Sequence, residues 1–162
     1  DAITATPLLV EDVIAGEWLW GATKSVAASA IMLVMISFFG QAHWPTGLMV
    51  VPLALLGGLL FSALGLVTTA LVPQIDNFNI STFLVIFPMF LFSGTFFPLE
   101  ILPGWAMKIA LILPLTHVSS LVRGACLGQE PPYAGASVIY LLCFTAVAFA
   151  GALLLMRRRL VK

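Results

Sequence analysis

The stretch LMVVPLALLGGLLFSALGLVTTALV, residues 48–72, decides how the chain folds. It contains no charged residue and is long enough to cross a bilayer with some tilt, since a crossing needs roughly 17 to 25 apolar residues. Within it Ala54, Gly58 and Ser62 recur every four residues, which places small side chains on one helical face and predicts close approach of a neighbouring helix.

The rest of the chain follows the same rule. Of 162 residues, 61% are hydrophobic and 9% charged, against about a quarter charged in a soluble domain, so lipid serves as solvent for much of the surface. Net charge is zero and no basic stripe exists beyond Arg157-Arg158-Arg159 with Lys162, which argues against a nucleic-acid partner. Cys126 and Cys143 form no metal-type cluster and read as unpaired. The chain opens on Asp1-Ala2-Ile3 without a charged leader, so a preceding portion is expected.

Three further crossings are expected. Residues 21–39 hold one charge, Lys24, placed to snorkel to the interface, and end at a turn carrying His43 and Trp44. Residues 78–96 follow the polar turn at 73–79 and are interrupted by Pro88 and Ser93-Gly94. Residues 136–156 run into the arginine cluster. Between the last two, residues 97–127 are cut into short pieces by Pro98, Pro103 and Pro114, and the piece from Trp105 to Leu113 is too short to cross. It reads as a re-entrant or interfacial hairpin at the outer face. Four crossings put both ends on one side, and the arginine cluster makes that side cytoplasmic.

Residues 1–20 precede the first crossing. Thr6 suits an N-cap and Pro7 the first helical position, while Glu11 and Asp12 fall where a helix dipole favours acids. Leu9, Val13 and Trp20 are spaced to share a face, so an amphipathic helix on the cytoplasmic surface is expected. A helix resting on anionic lipid is usually rich in Lys and Arg, whereas this one carries Glu11, Asp12 and Glu17, which favours a protein partner. The chain has no phosphate-binding loop of the G-x-x-x-x-G-K-[ST] kind, and His43 and His117 lack metal-ligand spacing. Glu100, Trp105, Lys108, His117 and Arg123 gather near the outer leaflet. Ionisable groups there are expensive, and they outline a path for a polar or amphiphilic substrate.

The run from Phe87-Pro88 through Ser93-Gly94-Thr95 to Pro98-Leu99-Glu100, followed by Leu102-Pro103, Trp105 and Leu113-Pro114-Leu115-Thr116-His117, resembles ABC-2 type permeases. Ala5-Thr6-Pro7-Leu8 with Glu11-Asp12, Gly16-Glu17 and Trp20 to Lys24 resembles the nodulation-factor (lipooligosaccharide) export branch of that family, as does Thr69 to Pro73 with Asp76-Asn77-Phe78. The resemblance implies an all-α integral membrane fold of six helices, here represented by four transmembrane helices, an N-terminal cytoplasmic coupling helix and a re-entrant outer hairpin. It implies that Thr6, Pro7, Leu8, Glu11, Asp12 and Glu17 dock on a separate ABC ATPase subunit, which holds ATP and Mg, with no cofactor on this chain. A second permease subunit in a homodimer, surrounding membrane lipid and a bacterial inner-membrane location follow from the same source. The expected function is outward movement of an amphiphilic or glycan-type substrate. The competing readings are a drug-exporting ABC-2 permease, a membrane-embedded lipid-modifying enzyme using His117 and Glu100 as acid–base groups, and a non-catalytic helical scaffold.

Overall fold

The computed structural model of the chain describes residues 10–40, 46–72, 75–95, 101, 103–129, 131 and 133–160. These fold as helices: α1 (Val10–Phe38), a short 3-10 turn (Thr46–Met49), α2 (Val50–Leu71), α3 (Ile75–Phe92), α4 (Gly104–Ile112), α5 (Pro114–Leu127) and α6 (Ala134–Leu160). Three segments are long and apolar enough to cross a membrane: Glu11–Phe38, Thr46–Leu71 and Ala134–Arg158. A fourth is reached if α4 and α5, which meet at 87°, count as one bent span. In α3 the stretch Phe83–Phe92 is a shorter apolar helix.

The centre of the bundle is α2, which packs along both α1 and α6 and also touches α5. Its seam with α1 runs through the small-residue face read from the sequence. Ser25 on α1 donates its hydroxyl to the Ala54 carbonyl at 3.0 Å, and the Ser62 hydroxyl reaches the Glu17 carbonyl at 3.4 Å. A methyl group added at Gly58 would stand 2.6 Å from Ser25 Cβ and 3.0 Å from Ala22 Cα, and one added at Gly21 would stand 2.8 Å from Ser62 Cβ. The backbones are this close because nothing larger intervenes, and close backbones gain van der Waals contact where lipid offers no hydrophobic drive. On another face of α2, Leu60 meets Leu121 of α5 and Leu141 of α6, with Leu56, Val118 and Phe144 packed around them.

The contacts fix directions. Glu17 lies by Ser62 and Ser25 by Ala54, so α1 and α2 are antiparallel. Trp18 stacks on Phe149 and Glu11 pairs with Arg157, so α1 and α6 are antiparallel as well.

The structure departs from the sequence reading in three places. The expected boundary between a surface helix over 1–20 and a crossing over 21–39 is missing from the described residues, because α1 runs unbroken from Val10 to Phe38. No proline lies in that turn, the Thr23 hydroxyl bonds back to the Leu19 carbonyl at 2.9 Å, and Gly21 and Ala22 are held against α2. The face expected to carry Leu9, Val13 and Trp20 is not the buried one. Ile14 (2% exposed) and Ala22 (1%) point inward while Trp20 is 56% exposed, because the small residues of the seam choose which face turns to α2; Leu9 lies outside the described residues. Finally, the helix expected over 78–96 stops at Phe92: Gly94 adopts φ 75°, a left-handed conformation natural to glycine at a helix end.

Gly58→Leu is expected to force α1 and α2 apart and cost about 1–3 kcal/mol, read as a lower thermal midpoint in detergent. Gly65→Leu, where an added Cβ meets nothing within 4 Å, should leave the midpoint unmoved; equal effects would show that the seam does not govern the packing.

Candidate functional site

Two polar regions stand at opposite ends of the long helices. The first is built on the early turns of α1. Glu11, Asp12 and Glu17 are all exposed, and Glu11 forms an ion pair with Arg157 near the end of α6. Two turns further along, the Trp18 indole stacks on Phe149 with ring centres 3.9 Å apart, and its Nε1–H donates to the Leu59 carbonyl at 2.6 Å. A single side chain of α1 thereby holds both α2 and α6. Lys24 lies over the Trp20 ring at 5.2 Å, a cation–π contact that keeps the ammonium at the helix surface.

The second region surrounds the break between α4 and α5. Pro114 has no N–H, so it cannot continue the hydrogen bonding of α4. The carbonyls left over are met by side chains. His117 Nε2–H donates to the Leu111 carbonyl at 2.9 Å, leaving Nδ1 to accept the Ser137 hydroxyl at 3.0 Å. Tyr140 donates its hydroxyl to the Ile112 carbonyl and packs on the His117 ring, with centres 4.7 Å apart. A similar arrangement closes α3: Arg123 donates to the Gly94 carbonyl at 2.7 Å and the Ser119 hydroxyl to the Ser93 carbonyl at 2.7 Å. A cation at a helix C-terminus also complements the dipole.

Among the residues expected from sequence, Thr6, Pro7, Leu8 and Glu100 lie outside the described residues. Glu11, Asp12 and Glu17 share the end of the bundle where Arg157 sits. His117 and Arg123 both lie on α5; the His117 nitrogens meet the Leu111 carbonyl and Ser137, and Arg123 donates to the Gly94 carbonyl. Trp105 (64% exposed) and Lys108 stand on the outside of α4, with Trp105 edge-on to Phe92 at 6.5 Å. Sequence reasoning missed Trp18, Phe149, Ser137 and Tyr140 as positioning groups. Their one advance signal was aromatic and hydroxyl side chains inside otherwise aliphatic spans, where polar atoms require partners. Among the described residues, no three His, Cys, Asp or Glu side chains gather as a metal site.

Comparison with known proteins places this arrangement in a family. The ABC-2 type transporter family matches residues 3–127. The chain is 38% identical over 162 residues to nodulation protein J of Rhizobium leguminosarum bv. viciae, covering 100% of this chain and 62% of that protein. It is 35% identical over 161 residues to nodulation protein J of Rhizobium meliloti (strain 1021), covering 99% and 62%. The counterpart in Rhizobium leguminosarum bv. trifolii is 36% identical over 166 residues, again with 62% of its length covered. The chain thus spans about three-fifths of the length of these curated relatives. No solved structure matches it. The chain belongs to the ABC-2 type transporter family.

Tyr140→Phe should leave the Ile112 carbonyl without its cap, at about 1 kcal/mol for one lost hydrogen bond. Hydrogen exchange across residues 104–127 is expected to quicken. Combined with His117→Phe the loss should be non-additive, since both side chains hold the same break; unchanged exchange in both variants would refute the capping role.

Proposed function

We propose that this chain, as a member of the ABC-2 type transporter family, is a membrane-spanning part of the permease subunit of an ATP-driven exporter. A separate ABC ATPase subunit, which carries ATP and Mg, engages the acidic end of α1. A second permease subunit completes the pore, and the cargo is an amphiphilic or glycan-type molecule moved outward across a bacterial inner membrane. The observation that carries this reading is the exposed acidic group of Glu11, Asp12 and Glu17 on the first turns of a helix that continues without a break into the membrane. Anionic headgroups repel such a surface, whereas a protein partner with basic residues is drawn to it.

The contacts also support four crossings with both ends cytoplasmic. The Glu11–Arg157 pair brings the start of α1 and the end of α6 to the same side. With α1 running outward, α2 returns and α6 returns, so the chain between Leu71 and Ala134 must go outward once. α3 has 18 residues, about 27 Å at ~1.5 Å per residue, close to the ~30 Å hydrocarbon thickness. Its end meets α5 at Ser93 and Gly94, and the start of α5 meets the start of α6 through His117 and Ser137. These contacts favour α3 as the outward crossing and α4–α5 as a re-entrant pair at the outer face. The arginine cluster then lies on the cytoplasmic side.

Two measurements test the reading on the full-length protein. Single cysteines at positions 158 and 128, in a background lacking Cys126 and Cys143, should label only from the cytoplasmic and only from the outer side, respectively. Labelling of both from one side would break the topology. Asp12→Lys with Glu17→Lys should reduce co-purification of the ATPase about tenfold and abolish substrate-stimulated hydrolysis; undiminished association and transport would sink the docking assignment.

A further inference from the structure

We infer that Arg157 and Trp18 are positioning residues that make α6 move with the acidic end of α1, so that displacement imposed there reaches α2 and α6 at once. The inference rests on the permease reading and extends it to a part of the chain, the end of α6, that lies 146 residues from Glu11.

Geometry carries it. Glu11 and Trp18 are two turns apart on α1 and share a face; Phe149 and Arg157 are two turns apart on α6. The ion pair and the ring stack therefore form two rungs between antiparallel helices, about 10 Å apart along the axis. α1 and α6 otherwise touch sparingly, while each packs extensively on α2. Trp18 adds the third attachment through its bond to the Leu59 carbonyl. Because α1 runs unbroken from Glu11 through Trp18, a push on the acidic turns is carried along the helix to the Trp18 contact.

The two rungs differ in strength. The Glu11 and Arg157 side chains are 52% and 56% exposed, so their attraction is screened by water and salt and can be released and re-formed. The Trp18–Phe149 stack and the indole hydrogen bond are less accessible and act as the fixed point. This arrangement transmits motion through the ion pair without relying on it for folding.

The test uses the full-length permease reconstituted with its partner ATPase in proteoliposomes. Arg157→Glu should keep the ATPase in the complex and leave the thermal midpoint where it was, yet lower transport per ATP hydrolysed at least fivefold. Arg157→Lys should retain most coupling. Arg157→Gln, which removes the charge and leaves the acidic surface of α1 intact, should lower transport per ATP at least threefold, and raised salt should lower it in the unmodified protein but not in this variant. Trp18→Phe keeps the stack but loses the bond to Leu59, and should weaken coupling in part. Unchanged coupling in Arg157→Glu or Arg157→Gln, or a salt response that Arg157→Gln shares with the unmodified protein, overturns the inference while the permease reading stands. An unmodified protein that recruits no ATPase overturns both and is recognised before any variant is made.

Discussion

Hydrocarbon offers no hydrogen bonds, and the rest of the structure depends on how the chain answers that constraint. Inside regular helices the backbone satisfies itself, and hydroxyl side chains bond to carbonyls of their own turn, as Ser37 does to Leu33, Thr68 to Leu64 and Thr145 to Leu141. Between α1 and α2 two hydroxyls instead cross from helix to helix: Ser25 to Ala54 and Ser62 to Glu17. These lie on the seam where small residues bring the α1 and α2 backbones together. Each such bond is worth on the order of 0.5–2 kcal/mol in a membrane, so they fix register more than they supply stability. Where the helical ladder is broken at Pro114, the constraint becomes local, and His117, Tyr140 and Ser137 meet it together.

The two ends of the bundle solve opposite problems. At the α4–α5 break polar atoms turn inward onto carbonyls, which keeps irregular backbone tolerable beside lipid. At the α1 end they turn outward, and the acidic side chains stay exposed. A region built to be filled by its own side chains suits a gate or a lining that holds its shape. A region whose acidic side chains stay exposed, Glu11 beside Arg157 among them, suits the docking surface proposed above.

Much of this was legible in the sequence. The uncharged run at 48–72 became α2, the small face at Ala54, Gly58 and Ser62 became its seam with α1, and the prolines at 103 and 114 bound the short pieces that became α4 and α5. Those signals are local: a span length, a four-residue period, a missing N–H. What sequence did not reveal was non-local. Leu9, Val13 and Trp20 have helical spacing, but burial went to Ile14 and Ala22 because α2 presents glycine and serine there. Periodicity says that a helix has faces; only the neighbour decides which face is covered. His117 looked like a substrate-facing group by its depth alone, and its two nitrogens turned out to be occupied by atoms 6 residues before it and 20 residues after it.

The arginine run shows how one feature can serve two physical ends. Read from sequence alone, the expected role of Arg157, Arg158 and Arg159 is to set orientation, because moving several guanidinium groups through hydrocarbon is costly. That role needs charge but no geometry, so any basic residue close to the end of α6 would fill it. The contact of Arg157 with Glu11 needs geometry as well: a guanidinium two turns beyond Phe149, facing a carboxylate two turns before Trp18. A residue that only set orientation would be free to point into water, away from an acidic neighbour. Its placement on Glu11 draws the start of α1 and the end of α6 together, and this makes the acidic surface a property of two helices.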